Sequence, residues 1–162
     1  MPPAVDVVNG IIMNQSQNLI ALWREGRTRF SNFLPTIAEA DLKKRLGDAP
    51  NSAGFLIRHI GEFELLFSKN VFGLEDVQVH AKTMIAKKDT GEWTILEELF
   101  AYQQTAFETL LKAISVQAEG SWEQTITTKE FGTKTKAEAL GRITTHTAYH
   151  AGQLSIILKY GK

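Results

Sequence analysis

The sequence predicts an all-α fold, a four-helix bundle. Four long segments carry apolar residues at spacings of three and four, which places these residues on one face of a helix. A long crossover, residues 72–93, connects the second helix to the third, so these two helices need not be antiparallel neighbours. The 162 residues are enough for a sizeable core, and we expect a single domain over residues 1–162.

The first helix is expected from about Ile11 to Leu34. Its apolar residues keep helical spacing, whereas residues 1–10 are poorly patterned and are expected to be partly disordered. Pro35 disfavours a helical conformation at the residue before it, so it supplies the end of this helix.

The second helix follows a connector of residues 36–50. Within this connector, residues 38–46 could form a short helical turn. Either Asn51 or Ser52 can serve as the N-cap, because both side chains can accept a hydrogen bond from a backbone N–H of the first turn. We expect the helix to continue to about Val71.

The third helix is expected to open at Thr94, because Thr94 and Glu97 have the spacing of a capping box. Its apolar repeat fades over residues 115–120. Residues 122–131 include a run of β-branched side chains that favours extended backbone. We interpret this stretch as an extended excursion or a small hairpin with Gly132 at its turn.

The fourth helix is expected to begin after Thr135, which forms a second capping-box pattern with Glu138, and to end near Leu158 or Tyr160. It carries His146 and His150 four residues apart. Residues at this spacing share one face of a helix, so the two imidazoles can point at the same ion.

His59 is the best candidate for a third ligand. It lies at the centre of the apolar stripe of the second helix, as His146 and His150 do in the fourth. Taken singly, each pattern is more typical of a core histidine or a surface pair. Burying three imidazoles without partners would cost a few kcal/mol each, and one bound metal would remove that cost for all three. We therefore predict that the three histidines converge on a divalent metal with an open coordination position.

Three further polar residues are candidates for hydrogen bonds to these ligands or for the wall of the site. Glu62 lies one turn after His59, and Gln103 and Gln153 interrupt apolar stripes. The alternatives are a solvated edge residue, which we favour for Glu62, or a core glutamine that bonds backbone. His80, in the crossover, is expected to be simply exposed.

Composition excludes several classes of function. The 18 basic and 18 acidic residues cancel, so no strong field favours nucleic acid or an anionic membrane. The absence of cysteine excludes disulfides, thiolate nucleophiles and Cys-ligated zinc. The N-terminus lacks the features of a signal peptide, and the chain has no run of about 18 apolar residues. We expect a soluble cytoplasmic protein.

The sequence resembles members of the DinB/YfiT-like superfamily. The resemblance lies in Ile57-Arg58-His59-Ile60 with Glu62 after it, and in the segment from His146 to Leu154, which is similar to that family's closing H-x-x-x-H-x-G-Q signature. It implies a four-helix bundle in up-down-down-up order, commonly a homodimer. It also implies that His59, His146 and His150 bind a divalent metal, most often nickel or zinc.

The resemblance implies two classes of function. Characterised relatives include low-molecular-weight thiol transferases, a thiol-dependent isomerase and some hydrolases. We therefore expect a metal-dependent enzyme that transfers a small thiol to an electrophile, or a related hydrolase. The alternative is a non-catalytic, metal-binding stress-response module whose functional unit is the dimer. An open, solvent-connected site favours the enzyme, whereas a sealed site favours the module.

Overall fold

The fold is mostly helical, as predicted, but it includes a small two-stranded sheet that the all-α prediction omitted. The computed structural model describes residues 14–162. Five helices and two strands follow one another along these residues. They are α1 (Gln15–Phe33), α2 (Ala53–Asn70), α3 (Lys82–Ala86), α4 (Leu96–Ser115), β1 (Thr125–Thr128), β2 (Gly132–Thr135) and α5 (Lys136–Tyr160).

Among the described residues, α1 begins at Gln15. Asn14 is its N-cap: the Asn14 side chain accepts from the backbone N–H of Gln17, and the Gln17 side chain accepts in return from that of Asn14. This reciprocal cap fixes the start at Gln15, whereas the predicted start at Ile11 and the poorly patterned residues 1–10 lie outside the described residues. α1 ends at Phe33, and a 3₁₀ turn follows.

α2 begins where the capping pattern placed it. Of the two predicted caps, Ser52 is the one that accepts from a first-turn amide, that of Phe55. The predicted turn in the preceding connector is also present, as a 3₁₀ turn over Glu39–Lys43. Most of α2 is buried, so this helix supplies much of the core.

α4 begins at Leu96 without the predicted capping box. Its N-cap is Ile95, which makes no side-chain cap bond, so the prediction from Thr94 was wrong. The Leu96 amide instead donates to Oε2 of Glu39 in the distant connector, at 3.3 Å. A tertiary contact thus replaces the local cap. The crossover before α4 contains the short helix α3, which has no counterpart among the predicted elements.

The hairpin was one of the two alternatives for residues 122–131. β1 and β2 pair antiparallel, with Thr128 opposite Gly132. Gly132 has φ +72°, a left-handed conformation that suits glycine at a turn. α5 then follows with the predicted capping box, because the Thr135 side chain accepts from the Glu138 amide and the Glu138 side chain accepts from that of Thr135.

Each of α1 and α2 packs against both α4 and α5. Two apolar clusters fill the space between them, one around Phe30 and Leu154 and the other around Trp23 and Ile143. Within residues 14–162, none of the helices has the length and hydropathy needed to cross a membrane.

Candidate metal centre

The three predicted histidines lie together between α2 and α5. One ring nitrogen from each of His59, His146 and His150 lies within 4.8 Å of the other two. The ring centroids are 5.1 Å apart for His59 and His146, 4.8 Å for His59 and His150, and 4.5 Å for His146 and His150. The predicted proximity is therefore present, while the role of these residues as metal ligands stays a prediction.

Aromatic side chains of α2 hold the rings in place. Phe63 stacks on His146 with a centroid distance of 4.0 Å, and Phe55 stacks on His59 at 5.6 Å. Phe55 in turn meets Trp93, at the end of the crossover, edge to face at 5.4 Å. His59 thus lies between Phe55 and Phe63, which belong to the two different core clusters.

In two of the three rings, those of His150 and His59, Nδ1 has a hydrogen-bond partner. Nδ1 of His150 lies 2.6 Å from Oε1 of Gln153, and because an amide oxygen only accepts, this nitrogen carries the proton. Its Nε2 then has a free lone pair. Nδ1 of His59 lies 2.9 Å from Oγ1 of Thr83 in α3. Nδ1 of His146 is buried and has no partner.

The surroundings keep the histidines neutral. Burial, followed by the nearby His150, lowers the pKa of His59 to about 4. Burial also lowers the pKa of His146 to about 2, with smaller effects from His150, His59 and Arg142. The pKa of His150 is lowered by burial, although its bond to Gln153 acts in the opposite direction. At neutral pH all three rings are therefore in the form that binds metal ions.

The residues present fit a divalent metal. Three neutral imidazoles are the donor set that zinc, nickel, iron and copper accept, and they leave a position open for a further ligand. A buried ring nitrogen without a partner, such as Nδ1 of His146, is unfavourable, and a bound ion could supply that partner.

The other predicted site residues divide between the cluster and the core. Gln153 contacts His150. Glu62 is completely buried and bonds Thr83, so the solvated edge position favoured for it was wrong. Gln103 lies elsewhere, where it accepts from Arg27 and donates to a backbone carbonyl of α2, which was the alternative considered for it. His80 is exposed, as predicted.

A cavity of about 380 Å³ adjoins the cluster. His146 forms part of its wall, so the cavity reaches the histidine cluster. The rest of the wall includes the apolar ring of Phe63 and the phenol of Tyr149. It also includes one cation, Arg142, and one carboxylate, Glu130. Burial raises the pKa of Glu130, and the nearby Arg142 opposes that shift. The size suits a small molecule.

A family model described as the DinB superfamily matches residues 22–154, most of the chain. This chain belongs to the DinB superfamily. The resemblance seen in the histidine motifs is thereby confirmed. A search of curated proteins found no match to this DinB chain.

One solved structure similar to this DinB chain is the crystal structure of a histidine-to-alanine mutant of a mycothiol-dependent maleylpyruvate isomerase. The TM-score is 0.64 and the sequence identity is 17%, with 86% of this chain covered. The match covers 60% of that chain, so this protein spans about three fifths of its length. At this identity the similarity establishes a shared DinB-like fold.

Proposed function

We propose that this protein is a metal-dependent enzyme in which His59, His146 and His150 bind a divalent ion, nickel or zinc. Its substrate would be a small molecule, most simply a low-molecular-weight thiol that is transferred to an electrophile, with hydrolysis as a related reaction. The observation that carries the proposal is a group of three imidazoles, with one ring nitrogen of each within 4.8 Å of the others, beside a cavity.

A divalent cation bound here would lower the pKa of a thiol or a water molecule and so supply a nucleophile at neutral pH. The chain's own residues prepare the site for this chemistry. Phe55 and Phe63 restrict the imidazole rings and exclude water from one side. Gln153 keeps the proton of His150 on Nδ1, which leaves Nε2 for coordination. The isomerase in the similar structure is named as dependent on a thiol, which agrees with a thiol substrate.

The cavity supports an enzyme rather than a sealed structural site. A substrate entering it would pass Arg142, which can bind an anionic group, and Glu130, which can bind a cationic one. Tyr149, whose side chain is largely exposed, offers a further hydroxyl at the edge of His150. The non-catalytic module is the alternative, and it requires no such access.

We further propose that residues 1–162 form one cytoplasmic domain that dimerises, with helices in up-down-down-up order. Contacts around Gln117, just after α4, support that order. Gln117 bonds Ser16 at the start of α1, Phe72 just after α2 and Lys136 at the start of α5. α1 and α5 therefore leave the end of the bundle at which α2 and α4 arrive.

Elemental analysis of the purified protein tests the metal assignment. We expect about one ion per chain in the wild type and a large loss in His150→Ala, because two imidazoles hold a divalent ion poorly. His80→Ala removes an exposed histidine outside the cluster and should retain the ion. Equal and negligible metal in the wild type and His150→Ala would refute the site.

A screen of small thiols with electrophiles tests the reaction. Turnover that is lost in His150→Ala and after chelation, and is restored by nickel or zinc, would support the transferase. A metal-loaded protein that turns over neither thiols nor hydrolysable esters and amides would favour the non-catalytic module instead.

A further inference from the structure

We propose that Thr83 and Glu62 are positioning residues that fix the proton of His59 on Nδ1 and thereby make α3, in the crossover, part of the metal centre. The part of this inference that concerns metal affinity rests on the proposed function. The part that concerns the proton on His59 does not.

Three side chains form a continuous hydrogen-bonded relay. Nδ1 of His59 lies 2.9 Å from Oγ1 of Thr83, and Oγ1 of Thr83 donates to Oε1 of Glu62 at 2.8 Å. His59 and Glu62 lie three residues apart on α2, whereas Thr83 comes from α3. Thr83 is buried and Glu62 has no exposed surface, so water does not compete for these bonds.

The direction of the relay follows from counting protons. Glu62 accepts at both oxygens, because the backbone amides of Thr83 and Met84 donate to it at 3.2 Å and 3.1 Å. The single hydroxyl proton of Thr83 goes to this acceptor. Oγ1 of Thr83 can then only accept from His59, so Nδ1 of His59 must carry a proton and Nε2 must keep its lone pair.

This arrangement selects a tautomer that water does not favour. A histidine side chain free in water prefers the proton on Nε2, which would block that nitrogen for a metal. The relay reverses the preference before any ion arrives. A carboxylate behind a ligating histidine also makes the ring a stronger donor, and losing such a partner typically costs about 10–100-fold in metal affinity.

Glu62 links the orientation of His59 to the docking of α3, the helix within the crossover. It holds the first turn of α3 through the two backbone amides, and Arg58 approaches the same carboxylate at 3.6 Å from one turn earlier in α2. The orientation of His59 and the docking of α3 therefore depend on the same buried carboxylate.

The ¹⁵N spectrum of metal-free protein tests the relay, because imidazole nitrogen shifts distinguish the two neutral tautomers. We expect Nδ1–H at His59 in the wild type and in Thr83→Ser, which keeps the hydroxyl. In Thr83→Val, of nearly the same shape, we expect a shift towards Nε2–H. The dissociation constant for zinc or nickel, measured by chelator competition, should rise about 10–100-fold in Thr83→Val. In Thr83→Ser it should stay close to the wild-type value.

Ser68→Ala is the matched control, since it removes a different buried hydroxyl, one in α2 that donates to a backbone carbonyl. It should change neither the tautomer nor the dissociation constant. The relay would be refuted if His59 in the wild type carried its proton on Nε2, or if Thr83→Val left both measurements as in the wild type. A tautomer change in a protein that binds no metal would support the relay and refute the proposed function.

Discussion

Burial of the three histidines makes the metal-free protein less stable as the pH falls. Their pKa values are lowered in the fold, to about 4 for His59 and about 2 for His146. Between pH 6.5 and about 4 the unfolded chain therefore binds more protons than the folded one. The free energy of unfolding should fall as the pH falls through this window, by at most about 1.4 kcal/mol per histidine for each pH unit.

Urea unfolding of the protein, freed of metal by a chelator, measures this effect at pH 7 and pH 5. The His146→Leu variant is the comparison. The variant lacks one of the histidines whose pKa is lowered in the fold. Its loss of stability between the two pH values should therefore be smaller. An equal loss in both proteins would mean that His146 already binds a proton in the fold.

The ligand candidates could be predicted from sequence because each lies at the centre of an apolar stripe, where an unpaired imidazole is costly. Thr83 could not, since it lies in a crossover without periodicity and nothing in its neighbours marks it as buried. Glu62 was expected at a solvated edge because helical spacing cannot show that the crossover folds back over that position.

At the scale of secondary-structure elements, Gly54 allows the crossover to pack on α2. A Cβ at this position would collide with the carbonyl oxygen of Trp93. Gly54→Ala should therefore destabilise the protein, by about 1–3 kcal/mol, as over-packing does in other cores. The check is the midpoint of chemical denaturation.

Gly141→Ala is the matched control, because a Cβ there meets nothing within 4 Å. Within α5 the same substitution should stabilise the helix, by up to about 1 kcal/mol. If both variants unfolded at the wild-type midpoint, the contact between α2 and the crossover would be looser than the structure describes.

The long helices could be predicted because their apolar repeat extends over many turns, and the caps at Ser52 and Thr135 are purely local. The α4 cap failed as a prediction because the helix begins one residue later, with Ile95 as its N-cap, and the Leu96 amide donates to Glu39, far away in sequence. α3 is too short to show a period, and the β-branched run at the hairpin favoured extended backbone without deciding between the two alternatives.

A buried charge pair joins three helices of the whole molecule. Arg27 of α1 donates to both oxygens of Glu64 of α2, at 2.7 Å and 3.0 Å, and to Gln103 of α4 at 2.8 Å. Removing one member of the pair leaves the other charge buried without a partner. We expect Arg27→Met or Glu64→Leu alone to cost about 3–5 kcal/mol in unfolding free energy.

The double variant should cost much less than the sum of the two single variants, because neither charge is then left unpaired. The exposed pair of Lys82 and Glu92, at 2.8 Å, provides a control cycle in which we expect far weaker coupling. Additive losses at Arg27 and Glu64 would show that the two side chains act independently.

The mostly helical class of the fold follows from the four apolar stripes, but the buried ion pair between Arg27 of α1 and Glu64 of α2 does not. The sequence shows Arg27 inside an otherwise apolar stripe, with no sign that a carboxylate 37 residues later would meet it. Charges buried as a pair are recognised only when both helices are in place.

The aromatic contacts from Trp93 to Phe55 and from Phe55 to His59 give the molecule a built-in optical probe. Trp93 is buried at the end of the crossover, one aromatic ring away from a candidate ligand. A paramagnetic ion such as nickel or copper arriving at the histidines would quench the fluorescence of this indole. Metal binding could then be titrated by intrinsic tryptophan fluorescence alone, without an attached dye.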